Sequence, residues 1–173
     1  AFTGKTNFSN GGDRDRAILN KFYTFPETLG NVFYVNSAAT GTGDGYSPLN
    51  AFTTVAAALA ACTADNDDRV ILLPGHNEGI GNAQLTWNVA GVKIIGVGEG
   101  ASRPRFDFDH ANASIDITAS GITVQGIDLL PSVTIVSIGI DINAGVTNTT
   151  LRDVRALPGE DGAGVDEFVV TVD

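Results

Sequence analysis

The chain has one cysteine, no methionine, one tryptophan and two histidines in 173 residues. A single thiol, Cys62, excludes an internal disulfide framework. Because it ends an alanine-rich run, the reading is a small buried hydrophobe rather than a nucleophile. Basic residues are also scarce: ten Lys and Arg face twenty Asp and Glu, for a formal net charge of -10. That balance argues against binding nucleic acid through its phosphates and suits a self-repelling surface. Only 17% of the chain is charged while 43% is apolar, which excludes a disordered chain and leaves enough residues for one domain with a real core. No apolar run approaches the ~20 residues a membrane-spanning helix needs, so no membrane partner is expected. The first residues carry no apolar signal-peptide segment, and with Ala1 first and no methionine anywhere, a removed initiator methionine is the expectation.

What the chain does have is a unit written three times. Leu85 to Val97 and Ile115 to Ile127 each hold an alternating run, a glycine-containing turn and a second alternating run. Leu85 to Ile115 and Gly91 to Gly121 are both thirty positions. A third copy, Ile140 to Val154, keeps the pattern and gains two residues before Leu151. Alternation places Ile115, Ile117, Ile122, Val124, Ile138, Ile140 and Ile142 on one face and Thr, Asp, Asn or Gln on the other, which suits strands and not a helical period. One coil cannot bury its own apolar row. Stacked coils can, with like side chains about 4.8 Å apart along the axis. The fold class expected is therefore all-β: a right-handed parallel β-helix, or solenoid, with Ile94 stacked on Val124 and glycines at the corners, where φ turns positive. An antiparallel sandwich is the alternative, and it would join the same runs by hairpins.

Residues 31–173 are assigned to this domain and 1–30 to an arm. The arm is rich in Gly, Asn and Ser, contains a charged Asp13 to Arg16 turn, and carries Phe2, Phe8, Phe22, Tyr23 and Phe25. Aromatics in a loop-like arm must be buried against something, either the side of the solenoid or a neighbouring subunit. We take these five as candidate interface residues of a docking arm. Residues 51–63 read as a helix with Thr53 or Thr54 as N-cap and Val55, Leu59 and Cys62 on one face, placed to cap the open first coil. Asp44-Gly45 marks a turn, and its one carboxylate is far short of a calcium site's ligand set. Val70 to Leu73 is a wholly apolar strand stopped by Pro74-Gly75. Trp87 falls inward by parity with Leu85 and Val89, where its indole N–H needs a partner. The last strand, Val165 to Val172, ends without a cap, so a paired terminal strand, a covering partner or a longer parent chain is expected.

The succession Phe33 to Asn36, Gly43 to Pro48, Phe52 to Val55 with its alanine-rich helix, Asp68 to His76, then Val92 to Gly96 resembles the N-terminal half of pectin-lyase-like right-handed β-helix proteins. Leu73 to His76, Val89 to Gly100 and Ser102 to Phe106 are similar to the β-helix proteins carried among virion genes of tailed bacteriophages. The resemblance covers about Asn31 to Val154. It implies a structural virion protein that decorates or cements the capsid, located on the particle surface. The implied partners are the major capsid protein or neighbouring virion subunits, and a homo-oligomer is expected.

Polysaccharide lyases of the same superfamily use calcium-holding carboxylates and a proton-abstracting Arg or Lys, which directs attention to Arg103, Arg105, Asp107, Asp109, His110 and Asp116. Arg105, Asp107 and Asp109 alternate with Phe106 and Phe108, however, as on any solvent-facing strand, and Asp116 and Asp141 are outward members of their repeats. His76 and Glu78, two residues apart after a strand, are a candidate acid and base pair. With no third orienting group in evidence, His76 and Asn77 read instead as turn residues bonded to backbone. No spacing matches a metal-ligand signature, so no enzyme activity, catalytic residue, metal or cofactor is expected. The alternative is a polysaccharide-binding or polysaccharide-cleaving tailspike-type protein, for which only Trp87 and Tyr46 are candidate sugar-stacking aromatics beyond the arm. A secreted adhesin would require an export signal.

Overall fold

Parallel pairing dominates the fold, and its register repeats along the chain. The computed structural model describes residues 30–41, 43–133, 136, 138–159 and 170–172. The five arm aromatics, and residues 165–169 of the last expected strand, lie outside them. The strands are β1 (Val32–Val35), β2 (Arg69–Leu72), β3 (Asn77–Ile80), β4 (Gln84–Trp87), β5 (Lys93–Gly96), β6 (Arg105–Phe108), β7 (Ser114–Ile117), β8 (Thr123–Pro131), β9 (Ile140–Ile142), β10 (Thr150–Ala156) and β11 (Val170–Val172). One sheet runs β1-β2-β5-β8-β6-β3 with β10 also on β8, and the other runs β11-β9-β7-β4. Each pairing is parallel, so the chain climbs as a β-solenoid of about three turns rather than folding back in hairpins.

The register is the one the repeat demands. Leu85 pairs with Ile115 and Ile115 with Ile140, while Ile94 pairs with Val124 and Val124 with Leu151. Side chains that alternate inward therefore pile into columns, Phe33-Val70-Ile94-Val124 and Trp87-Ile117-Ile142 among them. Fully burying one such Ile is worth roughly 1.5–3 kcal/mol, and the columns share that gain along the axis. Ile138 departs from expectation: it precedes β9, is only half-buried and lies outside the core columns.

Two positions of β8 explain how one strand serves two faces. Thr123 to Gln125 pairs with β5, and Asp128 to Pro131 pairs with β6. The bend between them is at Gly126, with φ 75°. A Cβ there would lie 2.6 Å from the carbonyl oxygen of Gly96 in the coil beneath, so the corner requires glycine for both conformation and space. The next coil puts Asp153, φ 49°, at the same corner.

The helix, α1 (Val55–Ala61), is shorter than the 51–63 expected. Thr54 is the N-cap, its Oγ1 accepting from Ala57 N–H at 3.3 Å. Phe52 is diverted into a bridge with Val35, where its N–H donates to Tyr34 O and its carbonyl accepts from Asn36, so residues 51–52 extend β1's edge. Cys62 is already extended. Val55, Ala58 and Leu59 are buried in the same core as the inward columns.

Candidate functional site

Three polar clusters stand out, and each forms because the coil geometry brings distant residues into contact. The first begins at the corner after β2. His76 is 1% exposed, its Nδ1 accepts the Ser37 N–H at 3.0 Å, and its Nε2 faces Glu78 Oε2 at 3.3 Å. Because a backbone N–H can only donate, Nδ1 must be the acceptor, which leaves the ring proton on Nε2, near the carboxylate but without a hydrogen bond to it. Glu78 Oε2 also accepts from Val55 N–H at 2.9 Å, at the start of α1. In the ladder Glu78 occupies the inward position that Phe106 and Leu129 fill in the following coils. An inward carboxylate is tolerable there because the helix N-terminus supplies a donor and a favourable dipole end. Asn77 N–H donates to Ser37 Oγ at 3.0 Å. The pair is thus in contact, yet engaged in joining the 37 loop, the corner and the helix. The expected bonds to the turn backbone after Pro74-Gly75 are replaced by bonds to Ser37 of a distant loop, made by the His76 ring and by the Asn77 backbone N–H.

The second cluster centres on Asp68, fully buried at 0% exposure. Its carboxylate accepts from Asn31 N–H at 2.6 Å, Thr63 N–H at 2.7 Å and the Asn66 side chain at 2.8 Å. Three donors compensate the desolvated charge and tie the segment before β1, the end of α1 and the turn into β2 together. Beside it, Asp67 pairs with Lys93 and lies 3.8 Å from Arg69.

The third cluster crosses coils at the β8 corner. Asp128, 4% exposed, receives both Arg155 Nε at 2.8 Å and Nη2 at 2.7 Å, and Arg103 Nε lies 2.7 Å away. Arg103 Nη1 donates to Asp153 Oδ2 at 2.8 Å. That bond holds the Asp153 carboxyl below the usual range, and the bond to Asp128 raises the Arg155 guanidinium. Asp128 and Arg155 escaped the sequence reading because the repeat alignment ends at Ile127 and Val154. Extending it by one residue places Asp128 against Arg155, and that is the signal that would have found them.

The lyase-type residues do not converge. Arg103 turns to Asp128, while Arg105 pairs with Asp107 at 2.8 Å on the outer face of β6. Asp109 is exposed, and His110 Nδ1 accepts from Asn112 N–H at 3.1 Å. Asp116 lies on β7, in the other sheet from β6. It corrects the sequence reading in another way: though it alternates with inward Ile115 and Ile117, it is only 7% exposed and accepts from Ser114 Oγ at 2.7 Å. Parity assigns the side of the strand but not what covers that side.

Among the described residues, no three of His, Cys, Asp and Glu are grouped to hold a metal ion. Cys62 donates its thiol to Ala58 O at 3.3 Å, and burial, then the nearby Asp68 charge, pushes its pKa up to about 12. A thiol so disfavoured as thiolate is a poor nucleophile. Trp87 is 0% exposed, edge-on to Phe106 at 6.0 Å, so it cannot stack on a sugar; its indole N–H finds no acceptor among the described residues. Tyr46 is 59% exposed, its ring 5.4 Å from that of Phe33. Compared with known protein families, curated proteins and solved structures, the chain matches none.

Proposed function

We propose that the chain is a structural protein of a tailed-bacteriophage particle, a right-handed, pectin-lyase-like β-helix that decorates or cements the capsid. In this reading α1 caps the first coil, with Val55, Ala58 and Leu59 covering interior columns that would otherwise face water. The arm is the docking element, with Phe2, Phe8, Phe22, Tyr23 and Phe25 as anchors on the major capsid protein or a neighbouring subunit. The observation that carries the reading is how the convergent charges are used. Glu78, Asp68 and Asp128 each bind backbone donors or arginines from other segments, so the groups that could do chemistry instead hold the coils in place.

The test is sedimentation of the full chain with purified capsids that lack it. Saturable co-sedimentation, weakened when Phe22, Tyr23 and Phe25 are changed together to alanine, is the expected result. Protein that stays in the supernatant at every capsid concentration overturns the reading. The tailspike-type alternative rests on Tyr46, and retention on an acidic polysaccharide column that disappears with Tyr46→Ala would favour it.

A further inference from the structure

We propose that Arg103 is a latch: it holds β10 in a strained conformation against the solenoid, and its release lets β10 detach while the earlier coils stay folded. Three observations carry this. First, of the strands whose side chains are described throughout, β10 alone contains no buried residue, whereas β8 directly beside it is buried along most of its length. Leu151 and Val154 reach the core only partly. Among the described residues the strand is therefore held mainly by its ladder to β8 and by charge, which places it at the low-stability end of the described coils.

Second, Asp153 takes the left-handed conformation, φ 49°, at the corner where the previous coil uses Gly126. Aspartate enters this conformation more readily than most residues with a Cβ, yet it still costs more there than the glycine of the previous coil. Third, Arg103 holds that residue in place. It rises from the turn before β6, its side chain is 8% exposed, and it bonds both the carboxylate and the carbonyl of Asp153. The same guanidinium reaches Asp128 at 2.7 Å and the Ile127 carbonyl at 3.4 Å, so one side chain joins three successive coils. Arg155 also ties β10 to Asp128, but its side chain is 47% exposed and it acts on Asp153 through charge alone, whereas Arg103 hydrogen-bonds it. Detachment would uncover the edge of β8 that β10 now pairs.

Hydrogen exchange measured by mass spectrometry on the full chain tests the latch. The reporters are the amides of Thr150 and Leu157, which donate to Ile122 O at 2.9 Å and Leu129 O at 2.8 Å. Arg103→Gln should speed exchange over residues 150–157 by about tenfold or more and leave β5 and β7 unchanged. Asp153→Asn, which keeps the carbonyl contact and tolerates the left-handed conformation, should give a smaller increase confined to the same segment. Arg152→Gln, a neighbouring exposed change on β10, should give none. Exchange at the wild-type rate in both Arg103→Gln and Asp153→Asn overturns the proposal. So does acceleration of all coils together, or failure of Arg103→Gln to fold, since either makes Arg103 part of the global core rather than a local latch.

Discussion

Three glycines separate two reasons a solenoid corner can need glycine, and alanine substitutions should read them apart. Gly145 has φ 82° with nothing within 4 Å of a built Cβ, so alanine meets only the left-handed penalty of about 1–2 kcal/mol. Gly96 is not left-handed, but its Cβ would lie 2.1 Å from the Gly126 carbonyl oxygen; overpacking of this kind costs about 1–3 kcal/mol. Gly126 combines both, φ 75° and a Cβ 2.6 Å from the Gly96 oxygen, so Gly126→Ala should cost about 2–5 kcal/mol, near the sum of the other two. At this length each kcal/mol lowers Tm by about 2–4 °C. Urea unfolding followed through Trp87 fluorescence is the assay, because the single tryptophan is 0% exposed when folded. Equal losses for Gly126→Ala and Gly145→Ala would refute the close approach of the two backbones. A changed denaturant slope would show instead that the substitution altered the compactness of one of the two states or broke two-state unfolding.

Ile117→Asp places an unpaired charge between Trp87 and Ile142 and should cost several kcal/mol, about 3 or more; wild-type thermal stability would contradict the inward column. Glu78→Ala removes the acceptor for the Val55 N–H and should cost about 1–2 kcal/mol, with loss concentrated in helical circular dichroism. Cys62, half-buried and with its pKa pushed to about 12, should react slowly with thiol reagents at pH 8 in the folded protein and quickly in urea, and fast folded-state labelling would count against the raised pKa. The Asp153 carboxyl is depressed by its bond to Arg103, so its contribution is present above the ordinary carboxylate pKa near 3.8 and fades as pH falls through the lower folded value. The stability gap between wild type and Asp153→Asn should therefore be flat at neutral pH and shrink below about pH 4; a gap that widens on acidification would reverse the assigned sign.

Parallel stacking was legible because it depends on a local period repeated at a fixed distance. A two-residue alternation chooses the inward face, and the thirty-position echo sets which residues share a column, so Leu85 over Ile115 and Ile94 beside Val124 follow without any knowledge of the path between them. The helix was legible in kind, and Thr54 was one of its two candidate caps, but its start was not legible. Whether Phe52 joins the helix or bridges Val35 depends on where β1 lies, and no local propensity encodes that.

The polar clusters belong to the tertiary structure almost entirely. Asp68 gathers donors from Asn31, Thr63 and Asn66, and Arg103 reaches Asp153, fifty residues away. Charged side chains carry no periodic signature, so the partner is decided only when the coils are in place. Glu78 makes the point most clearly: its position in the strand pattern is an interior one, where a carboxylate looks like an error until the N-terminus of α1 arrives beside it. The sequence by itself determined the coil, its columns and its glycine corners, because these are properties of a repeated local pattern. Which charges are buried, and which segments they fasten, was decided by the fold, because the energy of a buried charge depends on the donors that surround it in space.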